Sequence, residues 1–106
     1  VFGPVVVVGD GGKYVEALQD VAVLVPPFAS ADVTAALRTL RIAPLLEGVR
    51  GDPPLDVDAL AEVAVAVGRL IVDAGGAIAS IDVNPVLVAA RGEGVVVLDA
   101  LIERGG

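Results

Sequence analysis

Ser80-Ile81-Asp82-Val83-Asn84-Pro85 and, after a short gap, Val95-Val96-Val97-Leu98-Asp99 decide how this chain is read. Both are apolar runs able to form strands, yet together they carry two carboxylates and a carboxamide. Asp and Asn are poor strand residues, and burying them costs stability unless something pairs with them. A divalent cation is one such partner. Oxygen ligands in a chain with no His and no Cys suit a hard ion such as Mg²⁺. A solvent-facing polar strand face, ended by Asn-Pro, accounts for the same pattern.

Register decides whether the two runs can share an ion. Between Val88 and Val95 lies Ala89-Ala90-Arg91-Gly92-Glu93-Gly94, whose glycines suit a tight turn. With Arg91 and Gly92 as the two loop residues, Asn84 falls directly opposite Asp99, with Cβ atoms roughly 4.5–5.5 Å apart. Asp82, two residues before Asn84, points to the same face. A loop longer or shorter by one residue throws Asp99 to the other face.

The 106 residues suffice for one domain or part of one. The chain is 56% hydrophobic with one Tyr, two Phe and no Trp, so its core is built from Val, Leu, Ile and Ala. The absence of Cys excludes disulfides, zinc-thiolate sites and thiol nucleophiles, and fits a reducing, cytoplasmic compartment. The absence of His removes the usual general base. No apolar run reaches about 18 residues, so no membrane span is expected. Fourteen acidic against seven basic residues, a net charge of −7, argue against nucleic acid as a partner. They also leave few cations for nucleotide phosphates. The chain opens on Val1-Phe2-Gly3-Pro4 with no Met, as a cut inside a longer polypeptide would leave it, and it is expected to be a fragment.

Along the chain, Val5 to Val8 reads as a buried strand, Gly9 to Gly12 as a loop, and Tyr14 to Val25 as a long strand closed by Pro26-Pro27. Ser30 to Leu40 reads as a helix with Ser30 as N-cap and with Val33, Ala36, Leu37 and Leu40 on one face; Pro44 stops it. A loop centred on Arg50-Gly51 follows. Asp56 to Ala74 is a longer helix, with Val57, Leu60, Ala64, Val67 and Ile71 at helical spacing and Gly75-Gly76 closing it. Strands from about Ile78 to Val88 and Gly94 to Ile102 complete an α+β layer, an antiparallel sheet with both helices on one face.

Five segments taken together resemble one family. They are Phe2-Gly3-Pro4-Val5-Val6-Val7-Val8-Gly9 with Gly11-Gly12; Val15-Glu16 with Leu18 and Asp20-Val21; Pro44-Leu45-Leu46-Glu47-Gly48 with Arg50-Gly51 and Pro53-Pro54; Asp82 with Asn84-Pro85; and Leu98-Asp99-Ala100. In this order they look like the ATP-grasp domain of ADP-forming acyl-CoA synthetases, and more narrowly like its C-terminal part. The same module occurs in acetate–CoA ligases and fused to GNAT-type protein lysine acetyltransferases.

The resemblance implies an ATP-grasp C-terminal subdomain that shares Mg²⁺ and ATP/ADP with a first lobe, while a phosphohistidine on a partner segment relays phosphate to the acyl-CoA chemistry. Asn84 and Asp99 are similar to the Mg²⁺ ligands of the family's succinyl-CoA synthetase branch. Asp82 matches a position near the phosphohistidine, where it would orient the ring; the family often has the longer Glu there. Gly11 and Gly12 match a glycine loop of the kind that cradles phosphate, although this loop lies between strands, where a tight turn is the other reading, and Asp10 places a negative charge in it. Glu16 looks like a site-facing carboxylate near ATP, or an edge-strand charge. Arg50 is shaped for phosphate, or pairs on the surface with Glu47 or Asp52. The partners implied are the rest of the ATP-grasp domain and a CoA-binding, phosphohistidine-bearing domain or subunit. Apolar surface left at a cut edge would also favour a homo-oligomer. The first lobe's lysines and the relay histidine are absent from this chain, so the fragment alone is expected to lack ligase activity. The alternative is a non-catalytic regulatory or assembly domain of an acetyltransferase fusion.

Overall fold

Valine-rich segments at the two ends of the chain form hairpins, and the helices between them supply the core. The computed structural model describes residues 3–10 and 20–105. Strand β1 (Val6–Asp10) pairs antiparallel with β2 (Asp20–Leu24), Val6 opposite Leu24 and Asp10 opposite Asp20. Alternation along the strands turns Val8, Ala22 and Leu24 towards the core and leaves Val5, Val7, Val23 and Val25 exposed on the other face. Gly9 is required here. A Cβ on it would run into the Asp20 carbonyl and the Val21 Cα of the facing strand. Of the strand expected from Tyr14 to Val25, residues 14–19 lie outside the described residues.

Helix α1 (Ser30–Leu37) starts one residue earlier than the sequence suggests. Ala29, extended at φ −98° and ψ 164°, is the N-cap, and Asp32 reaches back so that its Oδ2 accepts the Ala29 N–H at 2.9 Å. Ser30 is therefore the first helical residue and not the cap. The α-helix ends at Leu37, but Thr39 N–H to Ala36 O and Leu40 N–H to Leu37 O, both 3.1 Å, continue it as a tighter turn that keeps Leu40 on the inner face. Pro44 does not stop this helix. It sits in the first turn of a second short one, α2 (Ala43–Leu46), where a missing N–H is harmless.

Helix α3 (Val57–Asp73) has Asp56 as its N-cap, and Gly75 takes a left-handed φ of +61° just past its end. The expected apolar line was Val57, Leu60, Ala64, Val67 and Ile71. Of these only Ala64 is buried, together with Ala61 and Gly68, and half-buried Val57, Leu60 and Val65 flank them. Small side chains mark the line of closest approach. At Gly68 a Cβ would stand 3.2 Å from the Phe28 ring and 3.3 Å from Pro26, so glycine lets that segment lie against the helix. The core is the α1–α3 contact: Val33, Leu37 and Leu40 against Ala61 and Ala64.

The second hairpin comprises β3 (Ile78–Val83), β4 (Val86–Val88), β5 (Val95–Val97) and β6 (Ala100–Arg104). Val86, Leu87 and Val88 face Val97, Val96 and Val95. The same alignment pairs Val83 with Ala100, Asp82 with Leu101, Ile81 with Ile102 and Ser80 with Glu103, before a bulge shifts it near Ile78. Among the described residues no ladder joins this hairpin to β1–β2. The expected single antiparallel sheet is therefore divided, with α3 packed against both β1 and β3. No helix among the described residues is long and apolar enough to cross a membrane.

Candidate metal and nucleotide site

The hairpin's alignment starts from its turn. Glu93 N–H donates to Ala90 O at 2.8 Å and Ala89 N–H to Gly94 O at 3.0 Å, so Arg91 and Gly92 are the two loop residues. Gly92 has φ +86° and Gly94 φ +85°, backbone that glycine alone adopts freely. Counting back along the strands, Asn84 falls opposite Asp99, and the Asn84 N–H donates to the Asp99 carbonyl at 3.0 Å. Leu98 N–H donates to Pro85 O at 3.0 Å beside it. Pro85 has no N–H to return, and regular pairing lapses there. The outward phase changes with it: Asp82, Asn84, Pro85 and Leu87 are all exposed, so two exposed residues stand side by side where strict alternation would allow one.

Asn84 and Asp99 are therefore neighbours across the hairpin, both open to solvent. Asp99 uses Oδ1 to accept the Ala100 N–H at 2.9 Å, which steadies the side chain and leaves Oδ2 available. No group of three His, Cys, Asp or Glu residues converges among the described residues. A donor set of one carboxylate and one carboxamide suits an ion that takes most of its coordination from water and phosphate, as Mg²⁺ does, and falls short of a full protein cage. Asp82 is exposed on β3, opposite Leu101 and two residues before Asn84.

The remaining candidates divide. Arg50 occupies the tip of a turn between α2 and α3, closed by Asp52 N–H to Val49 O at 3.0 Å, with φ +55° at Arg50 and +82° at Gly51. It is exposed there, on an element separate from the hairpin. Glu16, Gly11 and Gly12 lie outside the described residues. A cavity of about 280 Å³ is lined by Pro26, Phe28, Gly68, Arg69 and their neighbours and by none of the candidate site residues.

Two acidic residues have structural tasks that the sequence does not announce. Asp20 accepts the N–H groups of Arg41 and Ile42, both at 2.8 Å, one on each carboxylate oxygen, and so ties β2 to the start of α2. Asp56, only 8% exposed, accepts from Ala59 at 3.1 Å as a helix cap, and from Gly92 at 3.1 Å and Gly94 at 2.7 Å across the hairpin turn. The Gly94 bond leads a set, with those of Ala59 and Gly92 and the nearby Arg91 charge, that holds the Asp56 carboxyl below the ordinary Asp value despite its burial. An Asp just before an apolar helical run signals a cap; nothing local signals the turn it clasps.

Similarity to known proteins follows this geometry. The ATP-grasp domain family matches residues 1–103. The chain belongs to that family. Among curated relatives, a trans-feruloyl-CoA synthase from an unknown prokaryotic organism is 48% identical over 102 residues, covering 95% of this chain and 14% of that protein. The beta subunit of ADP-forming acetate–CoA ligase II from Pyrococcus furiosus is 37% identical over 101 residues, covering 95% of this chain and 43% of that subunit. Among solved structures, an acetyl-coenzyme A synthetase from Ca. Korarchaeum cryptofilum superposes with a TM-score of 0.86 at 35% identity, covering 97% of this chain and 47% of that one. That structure contains coenzyme A and Mg-AMPPCP, with its phosphohistidine segment pointing towards the nucleotide binding site. The fold is thus the ATP-grasp C-terminal subdomain, and the chain spans less than half the length of these relatives.

Proposed function

We propose that this chain is the C-terminal, metal-bearing lobe of an ATP-grasp ligase that interconverts acyl-CoA, ADP and phosphate with acid, CoA and ATP through a phosphohistidine. The pairing of Asn84 with Asp99 carries this reading. It sets a carboxamide residue opposite a carboxylate residue on exposed backbone, two residues from the acid Asp82. Bound there with nucleotide, Mg²⁺ would neutralise phosphate charge. Phosphoryl transfer asks a protein mainly for positioning and electrostatic stabilisation, and the chain's own residues fit that task. Asn84 and Asp99 would hold the ion from opposite sides of the hairpin. Asp82 lies on the same outward face, placed to orient an incoming imidazole. Glu16, Gly11 and Gly12 would contribute nucleotide contacts, and Arg50 a cation.

Seven basic residues against fourteen acidic cannot by themselves balance a triphosphate. The reading therefore needs the other lobe of the domain and a CoA-binding, phosphohistidine-bearing domain or subunit, consistent with relatives more than twice as long.

ADP–ATP isotope exchange by the full-length protein tests the reading. Asn84→Ala and Asp99→Ala should each lower exchange by about a hundredfold, as losses of a charge-stabilising donor do. Unchanged exchange in both variants would refute the metal assignment. Calorimetry on residues 1–106 alone should find Mg-ATP binding weaker than micromolar; a micromolar Kd would show that this lobe is a complete nucleotide site.

A further inference from the structure

We infer that Asp56 is a register lock: its carboxylate clasps the Arg91–Gly94 turn and so holds the hairpin in the one alignment that sets Asn84 opposite Asp99. The side chains of the hairpin's central rungs do not choose that alignment. Val86, Leu87 and Val88 face Val97, Val96 and Val95, and the one-residue slip that brings Val88 opposite Val96 replaces each apolar pair with another apolar pair. Strands that are apolar on both faces specify register weakly. Next to them Pro85 has no N–H to give to the ladder. Yet a one-step slip would turn Asp99 to the opposite face, so something outside the strands must fix the count.

The segment leading into α3 does so. Asp56 Oδ2 takes both glycine N–H groups of the turn, Gly92 at 3.1 Å and Gly94 at 2.7 Å. The Asp56 N–H donates to Ala89 O at 2.7 Å, and Arg91 N–H donates to Pro54 O at 2.9 Å. Leu55 bridges Ala90. The positive φ of Gly92 and Gly94 aims their N–H groups at one oxygen. A slip of one residue moves backbone donors by about 3.3 Å, beyond hydrogen-bond reach. Asp56 is in turn fixed to the core, because Ala59 N–H binds its other oxygen and Val57 and Leu60 pack against the α1–α3 cluster. Asp56 is thus a positioning residue that acts on the site from the far end of the hairpin. Only its consequence for activity rests on the proposed function.

Cross-linking reads the register directly. In the full-length protein, Val88→Cys with Val95→Cys reports the native alignment and Val88→Cys with Val96→Cys reports a one-step slip; residues 1–106 contain no other cysteine. Limited oxidation followed by mass spectrometry of the bridged peptides gives the ratio of the two. With Asp56 intact the native pair should dominate. Asp56→Ser keeps an N-cap oxygen for α3 but is too short to span the turn. It should leave the far-ultraviolet circular dichroism unchanged and lower the preference for the native pair about tenfold, as loss of charge-assisted bonds predicts. A native preference that survives Asp56→Ser would overturn the lock. Unfolding of that variant would overturn it too, by assigning Asp56 to the fold instead of the register. ADP–ATP exchange lost in Asp56→Ser and restored by the Val88–Val95 bridge would support both lock and site. Slipped register with unchanged exchange would uphold the lock and sink the Asn84–Asp99 site.

Discussion

The helical half of the molecule and the long C-terminal hairpin solve different problems. In the first, Val33, Leu37, Leu40, Ala61 and Ala64 are buried, and a few well-placed methyl groups hold two helices and a strand pair together. In the second, every residue of β6 is exposed, and Leu87, Val96, Leu98, Leu101 and Ile102 are largely open although apolar. Burial cannot be what fixes the hairpin's shape within this chain. Its geometry comes from backbone ladders, a two-residue turn and the Asp56 clasp. The site therefore sits on the half whose stability is borrowed, and substitutions in the two halves should fail in different ways.

The largest effect should come from the first half. Leu37 is 2% exposed at the centre of the core. Leu37→Ala should cost about 2–5 kcal/mol in urea denaturation, enough to unfold much of a domain this size. A loss under 1 kcal/mol would show that the α1–α3 contact is not where stability resides.

Acid should act next, through the junction between the halves. The Asp56 carboxyl titrates below the ordinary value of about 3.8 because backbone N–H groups, Gly94 first, bind its charged form. A group whose folded value is depressed contributes stability that is complete above the unfolded value and is lost as pH falls through the folded one. The urea midpoint should accordingly be flat near neutrality and decline below about pH 4. In Asp56→Asn that part of the decline should vanish. If Asp56→Asn shows the same acid profile, the clasp contributes nothing to holding the hairpin on the helices.

A smaller effect is expected at Asp20, which joins β2 to α2 wholly within the first half. Asp20→Ala leaves the Arg41 and Ile42 N–H groups to solvent and should cost about 1 kcal/mol, as loss of a cap does. Because the hairpin does not depend on it, the Val88–Val95 cross-link should form as before.

What the sequence disclosed follows the same division. Helices α1 and α3 were legible from apolar spacing, and the hairpin's register from Arg91-Gly92, because periodicity and turn chemistry are local. The placement of Asn84 opposite Asp99 came from counting outwards from that turn. The clasps were not legible. Asp56 reaches Gly92 and Gly94 across more than thirty residues of chain, and Asp20 reaches Arg41 and Ile42 across about twenty. An acid at a helix start or strand start looks the same whether or not a distant backbone comes to meet it. Small residues misled for a related reason: Ala61 and Gly68 are buried because they are small, which a search for large apolar side chains passes over.

The smallest effect on stability should fall on the two residues of the proposed metal site. Asn84 and Asp99 are exposed, and the ladder bond between them runs backbone to backbone, from the Asn84 N–H to the Asp99 carbonyl. Truncating either side chain leaves that bond in place. Asn84→Ala should shift stability by no more than about 0.5 kcal/mol, as surface changes do. Asp99→Ala also loses the Oδ1 bond to Ala100, and should cost slightly more. Against this near-silence in denaturation, exchange activity should collapse. A variant that lost both together would mean that the outward face of the hairpin helps to hold the fold, and that the carboxylate and carboxamide are there for the strand instead of for an ion.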